Sequence, residues 1–313
     1  MGKIRQAVFG GNEIIMSYEP FFSLILATLN RPTEVQICLK SLSQQTFRDF
    51  EIIIIDQSNN NDTEIIKNKF PELRIYYFRV EFKGLSKARN FGLNRASGKY
   101  FCLIDDDASY NSEYLKIAYD FICENGICVL SGYMWNPITN TTLPEYFKTK
   151  TKSSLSVRKI IRMCPSPALI FPMEMCRKGK YFDEKLGVGS YFGACEETDL
   201  FLEALDTGYR GYYIKELKIE HPVIMHSFEI ENVTAIKRVE NYARGLGALI
   251  KKDIILRKRL RLIPTLMEKR IKLFLKFLGV LGVTKKQEAI AEWAGIKAGF
   301  REYRQDGSDS YDT

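Results

Sequence analysis

Apolar positions along the chain fall into short runs separated by amphipathic stretches. FFSLILAT (21–28) is a compact apolar run with β-branched content, closed by the polar turn LNRP, and it predicts a buried strand. Thr33 is placed to cap a helix reaching about Gln45, with Val35, Leu39 and Leu42 on one face. EIIIID (51–56) predicts a second buried strand, SNNND a turn, and the residues after it a helix to about Lys69. RIYYFRV (74–80) predicts a third strand, GLSKARNFGLNRAS (84–97) a helix terminated by Gly98, and YFCLI (100–104) a fourth strand.

Strands that are apolar on both faces and alternate with helices through short connections predict a parallel sheet covered on both sides. In such sheets ligands sit beyond the carboxyl ends of the strands. Thr28, Asp56 and Asp105 to Asp107 all fall at such ends, so independent strands deliver polar groups to one edge. The fold class expected is α/β, a Rossmann-like, mostly parallel sheet flanked by helices.

Past Asp107 the pattern loosens. A helix over 112–124, a strand over 127–133, a polar loop to about Lys152 and a strand in SPALIFP (166–172) are expected. A glycine-rich loop then feeds a helix from about Glu197 to Thr207, and GYYIKELKIEHP (211–222) predicts a last strand ending near His221. From Asn232 the chain reads as helix with a break near Pro264, then a polar tail. The domain organisation expected is an extension over 1–18, with Met16 a candidate alternative start, and a catalytic domain over 19–230. A basic helical extension over 231–303 and a disordered tail over 304–313 would follow.

Length and composition narrow the classes. With 313 residues, 45% hydrophobic and 27% charged, the chain can bury a sizeable core, and no apolar run approaches the roughly 20 residues that span a bilayer. The N-terminus has no apolar signal core, and Gln6 stands where a myristoylation site wants Ser or Thr. The seven cysteines are scattered without a CxxC pair, which suits buried free thiols in a reducing compartment. The net charge of +8 is uneven: Lys251 to Lys286 holds twelve basic residues against Asp253 and Glu268, +10 in all, leaving −2 for the rest.

The block Asp105-Asp106-Asp107 is the sharpest chemical feature. Three consecutive carboxylates at the end of a buried strand repel one another unless something positive sits among them. A magnesium or manganese ion is the simplest such charge, since these hard cations favour oxygen ligands and keep positions open for phosphates. A turn with one aspartate capping the next helix is the plainer reading of the block alone; Asp56 at a neighbouring strand end favours the metal.

Taken in order, SLILATLNRP, EIIIIDQSNNND, GLSKARNFGL, YFCLIDDDA and CEETDL resemble the inverting nucleotide-sugar glycosyltransferases of family 2, with their GT-A fold, over roughly residues 20–225. The resemblance implies hexosyl transfer from a nucleoside-diphosphate sugar, a UDP-sugar first and a dTDP-sugar second. Asp56 would accept a hydrogen bond from the base, with Thr28 and Arg31 lining the same pocket. Lys87, Arg89 and Asn90 would lie near base and diphosphate. Asp105 and Asp107 would be the ends of the DxD motif, with Asp106 between them. Asp105 would contact ribose or a metal-bound water, Asp107 would ligate Mn2+ or Mg2+, and His221 would join the metal shell or touch the diphosphate.

CEETDL supplies the other half. The family usually has Glu-Asp where this chain has Glu196-Glu197, so Glu197 inherits the role of general base, with Glu196 and Asp199 as alternatives. Acids favoured by a helix N-terminus are the duller reading. LGVGSYFGA (186–194) has the backbone freedom of an acceptor loop, and Tyr191, Phe192 and Trp135 could stack on sugar rings or pack in the core. His226 is the weaker of the two histidines.

In PTLMEKRIKLFLKFLGVLG (264–282), Met267, Ile271, Phe274, Leu275 and Leu278 recur at helical spacing between basic residues. Such a helix either lies in an anionic membrane interface or packs on the catalytic domain with a solvated basic rim. The resemblance and the tail together imply a growing, lipid-linked bacterial surface polysaccharide as acceptor, such as capsule or O-antigen. They imply a cytoplasmic enzyme, peripheral on the inner face of the plasma membrane. Two other classes compete. A dinucleotide-dependent oxidoreductase would need a glycine-rich turn after the first strand, where ATLNRP stands instead. A non-catalytic basic module for anionic lipid or nucleic acid would show no metal-dependent nucleotide affinity; no nucleic acid is expected, because no recognisable module is present.

Overall fold

In the computed structural model of the protein, residues 4–7, 15–138, 140–143, 152–163, 165–222, 233–277 and 284–304 are described. His226 and the tail past Arg304 lie outside them. The chain divides into two compact units: Met1–Lys83, Lys87–Tyr181 and Glu203–Val223 form the first, and Gly84–Ser86, Phe182–Leu202 and Ile224–Thr313 the second. Where the sequence suggests one boundary near residue 230, the second unit also takes Phe182–Leu202 from mid-chain.

In the first unit, β1 (Ile4–Ala7) and β2 (Ile15–Tyr18) form an antiparallel hairpin in the stretch expected as an extension. The main sheet begins with β3 (Phe22–Thr28), which leads through α1 (Pro32–Ser43) to β4 (Phe50–Asp56). α2 (Asp62–Lys67), β5 (Ile75–Arg79), α3 (Leu85–Leu93) and β6 (Tyr100–Asp105) follow. These four strands run parallel in the spatial order β6-β3-β4-β5. Leu24 to Leu26 and Ile52 to Ile55 are fully buried, as strands covered on both faces must be.

The sheet continues through β7 (Ser109–Tyr110), α4 (Tyr114–Asn125), β8 (Cys128–Asn136), β9 (Thr141–Leu143), β10 (Lys152–Ser154), α5 (Val157–Met163), β11 (Ile170–Pro172), α6 (Glu174–Arg177) and β12 (Arg210–Glu220). Its main path is β10-β12-β8-β11-β6-β3-β4-β5. β11 runs antiparallel to both β6 and β8, while β12 is parallel to β8. The sheet is therefore parallel where alternation was clearest and antiparallel at its middle.

Three boundaries depart from the sequence reading for identifiable reasons. α1 starts at Pro32 with Arg31 at its N-cap, so Thr33 lies inside the helix and does not cap it; a proline suits the first turn because its missing N–H costs nothing there. α3 stops at Leu93, so that Ser97 N–H can donate to the buried Glu51 carboxylate (2.7 Å) and Gly98 N–H to Ser23 Oγ (2.8 Å). The expected strand at 166–172 opens as a 3-10 turn, Ser166–Ala168, because Pro165 and Pro167 lack the donors a ladder needs; only Ile170–Pro172 pair.

In the second unit, α7 (Glu196–Asp206) begins among the loop residues from Phe182, and the C-terminal part carries α8 (Val233–Lys251), α9 (Ile263–Phe277) and α10 (Thr284–Glu302). A π-helical turn, Lys252–Leu256, ends α8. The expected break near Pro264 falls over residues 257–262, and Pro264 itself sits in the first turn of α9, where its missing N–H costs nothing. The loop is tied to the helices: Leu186 and Phe192 form one buried cluster with Ala248 and Tyr303. No helix among the described residues is long and apolar enough to cross a membrane. Of the cysteines, Cys38, Cys102, Cys128 and Cys176 are buried free thiols as expected, whereas Cys123 is exposed; Cys164 lies outside the described residues.

α8 and α10 approach closely enough that a Cβ on Gly299 would collide with the Arg244 carbonyl, and one on Gly247 with the Ile296 carbonyl. Backbone atoms cannot swing aside as a side chain would. Gly299→Ala is therefore expected to destabilise the protein by roughly 2–4 kcal/mol, in the range of overpacked helix contacts. Urea denaturation of the variant beside an exposed control such as Lys286→Ala measures it.

Candidate active site

Parallel register brings polar residues from four strands of the first unit to one edge. Thr28 is the partner of Asp56 across β3 and β4, Ala27 that of Asp105 across β3 and β6, and Asp56 that of Arg79 across β4 and β5. The apolar runs that force these strands into the core thus deliver their terminal polar residues side by side at the carboxyl edge.

Charges there are neutralised by the chain itself. Arg31, at the entry to α1, forks across two aspartates: one nitrogen donates to Asp106 Oδ1 and the other to Asp107 Oδ2, each at 2.7 Å. Thr28 Oγ1 donates to Asp106 Oδ2 at 2.7 Å. His221, just past β12, brings Nε2 to 2.9 Å from Asp107 Oδ1 and 3.8 Å from Asp105 Oδ2. Its Nδ1 is buried and has no hydrogen-bond partner among the described residues. On the other side Arg89, only 1% exposed, donates to Asp105 Oδ1 (3.2 Å) and to Ser166 Oγ (2.7 Å).

Neighbouring aspartates consequently titrate in opposite directions. Burial pushes Asp106 up to about 6, which the Thr28 hydrogen bond and the Arg31 charge only partly offset. Asp107 is also penalised by burial, but His221 and Arg31 overcome that and hold it at about 2. Burial pulls the His221 imidazole down, yet the Asp107 hydrogen bond and the charges of Asp107 and Asp105 leave it raised above its ordinary value.

Asp105, Asp107 and His221 offer one ligand atom each within 4.8 Å of one another, a donor set compatible with a divalent cation. Two carboxylates and an imidazole suit manganese at least as well as magnesium. Asp106 faces Thr28 and Arg31 instead, so the DxD spacing separates two potential ligands from one anchor.

Asp56 is completely buried at the next strand end. Its Oδ1 accepts from Ser58 N–H and its Oδ2 from Tyr77 O–H, both at 2.8 Å. Burial, and then the bond to Asp56, push the Tyr77 hydroxyl up to about 12, so it stays protonated and donating. Tyr77, Ser58 and Ser166 were not legible as site residues; only strand register and chain reversal place them there. Asn90 is buried, whereas Lys87 is exposed and lies over the Phe82 ring, 4.8 Å from its centre.

The remaining candidates belong to the second unit. Cys195, immediately before α7, has φ 75°, a left-handed backbone strained for a non-glycine residue. Gly187 has φ 101°, and a Cβ there would sit 2.6 Å from Ser86 Oγ and 2.9 Å from the Glu196 carboxyl carbon, so only glycine fits. Glu196 is buried and Glu197 half-buried. Asp199 is held by two cations, Lys252 Nζ and Arg257, each at 2.7 Å. Lys252 also bonds Asp183 (2.6 Å), which Tyr303 O–H joins.

Residues 23–181 match the family described as glycosyl transferase family 2, just over half of the chain. The chain belongs to the family 2 glycosyltransferases. An uncharacterised glycosyltransferase of Rickettsia bellii is 30% identical over 147 residues, 46% of this chain and 21% of that protein, so the chain aligns with about a fifth of its relative's length. Among solved structures, S. aureus TarS residues 1–349 in complex with UDP-GlcNAc aligns at TM-score 0.57 and 18% identity, covering 91% of this chain and 93% of that one. Mannosyltransferase PcManGT from Pyrobaculum calidifontis, in complex with GDP-Man and Mn2+, aligns at TM-score 0.60 and 15% identity, covering 92% and 77%. These likenesses show the GT-A fold, a mixed α/β sheet flanked by helices.

The ion-pair network in the second unit carries a pH prediction. Burial raises the Asp183 carboxyl, but the Lys252 charge and hydrogen bond, with those from Tyr303 and Lys185 N–H, leave it below its ordinary value. A carboxylate with a depressed folded-state pKa contributes stability above its unfolded pKa of about 4 and loses it as pH falls below that. Asp183→Asn should cost roughly 1–3 kcal/mol at neutral pH, with the difference from wild type shrinking as pH falls below about 4 and through the depressed folded-state value. Paired urea melts at neutral pH and through that fall measure it.

Proposed function

We propose that the protein is an inverting, metal-dependent glycosyltransferase that moves a sugar from a nucleoside-diphosphate sugar, UDP first and dTDP second, to a hydroxyl of a growing, lipid-linked bacterial surface polysaccharide. The observation that carries the proposal is the meeting of Asp105, Asp107 and His221 at the carboxyl edge of a family 2 sheet, with ligand atoms within 4.8 Å. It is supported by the UDP-GlcNAc and the GDP-Man with Mn2+ bound in the two solved relatives.

Asp105, Asp107 and His221 would hold the divalent cation, Mn2+ or Mg2+. When bound, such a cation supplies Lewis-acid stabilisation of the leaving diphosphate. Arg31, already forked between Asp106 and Asp107, adds fixed positive charge beside that diphosphate. Thr28 and Arg31 hold Asp106 as the anchor of the turn. Asp56, with Tyr77 fixing one carboxylate oxygen, marks the nucleobase end of the pocket; Lys87, Arg89 and Asn90 complete the donor side.

In the transfer the acceptor hydroxyl oxygen attacks the anomeric carbon, and the bond from that carbon to the diphosphate oxygen breaks with its electron pair leaving on the diphosphate. The hydroxyl proton passes to Glu197, and the anomeric configuration inverts. Glu197 is preferred to Asp199 because Lys252 and Arg257 occupy the Asp199 carboxylate, making it a poor proton acceptor. Glu196, buried against Gly187, is better suited to fixing the loop. The LGVGSYFGA loop is proposed to receive the acceptor. The enzyme works in the cytoplasm, peripheral on the inner face of the plasma membrane, with the basic C-terminal segment on an anionic surface.

Glu197→Gln should lower turnover by about 10²–10⁴-fold while nucleotide binding persists. Asp107→Ala should remove manganese-dependent nucleotide binding as well as turnover. Transfer from UDP-GlcNAc and other UDP- and dTDP-sugars to a membrane extract, with UDP titrated calorimetrically in parallel, distinguishes them. Wild-type transfer that survives EDTA undiminished contradicts the metal role.

A further inference from the structure

α9 and α10 form the walls of a groove of about 840 Å³ within the second unit. Its lining divides by chemistry. On α10, Ile290, Trp293, Ala294, Lys297 and Arg301 recur at intervals of three to four residues and so share one helix face, apolar toward its start and basic toward its end. On α9, Ile271 and Phe274 face the groove beside Arg270 and are 60% and 61% exposed. Met267 and Leu275 on α9 and Phe300 on α10 extend the exposed apolar surface. Scattered exposed apolar residues need no explanation, but a contiguous two-helix patch around a groove does.

The basic charge of this region separates into two populations. Lys252 and Arg257 are taken by Asp183 and Asp199, Arg261 by Asp253, Lys269 by Glu292 and Lys272 by Glu268. Those pairs hold the unit together. Arg270 and Lys297 face no carboxylate among the described residues: Arg270 lies over the Trp293 ring, 5.7 Å from its centre, and Lys297 lines the groove alone. Arg301 meets Glu302 and is otherwise outward. Uncompensated cations thus stand at the rim of an apolar trough, a complement to a molecule with a hydrocarbon chain and an anionic head.

We propose that this groove binds an acyl chain of an anionic membrane lipid, with the lipid phosphate held by Arg270 and Lys297, so that α9 and α10 together seat the enzyme in the bilayer interface. The proposal deepens the membrane-surface part of the functional reading and does not depend on its sugar chemistry. It moves the contact from the basic segment alone to a site with two walls, half of it on α10.

The full chain is tested by flotation with vesicles of phosphatidylglycerol and phosphatidylcholine and with phosphatidylcholine alone. A Trp135→Phe background leaves Trp293 as the single tryptophan of the two in the chain. Anionic vesicles should bind the protein and shift Trp293 emission to the blue, and phosphatidylglycerol with brominated acyl chains should quench it; neutral vesicles should do neither. Phe274→Asp should lower partitioning at least about tenfold, and Arg270→Glu with Lys297→Glu should lower it about as much. Circular dichroism and the UDP-induced thermal shift of each variant should match the parent. Anionic-vesicle binding that these substitutions leave intact, or Trp293 emission that ignores brominated lipid, overturns the proposal. So does a dimer in sedimentation that Phe274→Asp splits while vesicles are ignored, which would assign the face to a second copy. A wild-type chain that floats with anionic vesicles but shows no response to UDP supports this site and counts against the sugar-transfer reading alone.

Discussion

Three adjacent carboxylates at the end of a buried strand set the terms for the first unit. At about 4 Å and an effective dielectric near 20, each like-charge pair would cost on the order of 4 kcal/mol. The fold meets this by converging basic side chains from distant parts of the sequence. Arg31 comes from the turn after β3, Arg89 from α3 and His221 from the end of β12. The sheet order explains how: β6 lies beside β3, and β12 reaches the same edge through β8 and β11. The same arrangement gathers two carboxylates and an imidazole, a donor set compatible with a divalent cation.

Within the block the three residues have separate work. Asp106 turns inward, bonded to Thr28 and Arg31, and its carboxyl is pushed up to about 6. Asp107 turns toward His221 and is held at about 2. A single backbone step therefore separates an anchoring carboxyl from a firmly ionised one. Both residues lie in the turn just past β6, which ends at Asp105, so the turn and not strand pleating sets their different directions.

Much of this was legible in the sequence. Apolar runs closing on Thr28, Asp56 and Asp105 announced both the strands and their shared edge, because a parallel sheet needs buried strands and delivers their ends together. The histidine was legible only as lying near the end of the last strand, and its place beside the aspartates was implied by the family resemblance. What escaped was whatever depended on contacts between distant segments. Tyr77 on Asp56, Ser166 on Arg89 and the grouping of Phe182–Leu202 with the C-terminal helices leave no periodic trace. The break near Pro264 was legible, but not that it lies over residues 257–262 and that the proline itself falls in the first turn of the next helix. The ionic partners of Lys252 and Arg257 were likewise invisible, so which basic residues of the tail are structural was not legible in the sequence.

The most direct test of the central claim, that these residues form one cation site, is pulsed electron paramagnetic resonance of Mn2+ titrated into the protein with UDP present. One bound Mn2+ per chain, with nitrogen modulation from an imidazole that vanishes in His221→Gln and binding that is lost in Asp107→Ala, is the predicted result. Mn2+ bound without nitrogen coupling and indifferent to both substitutions would contradict it.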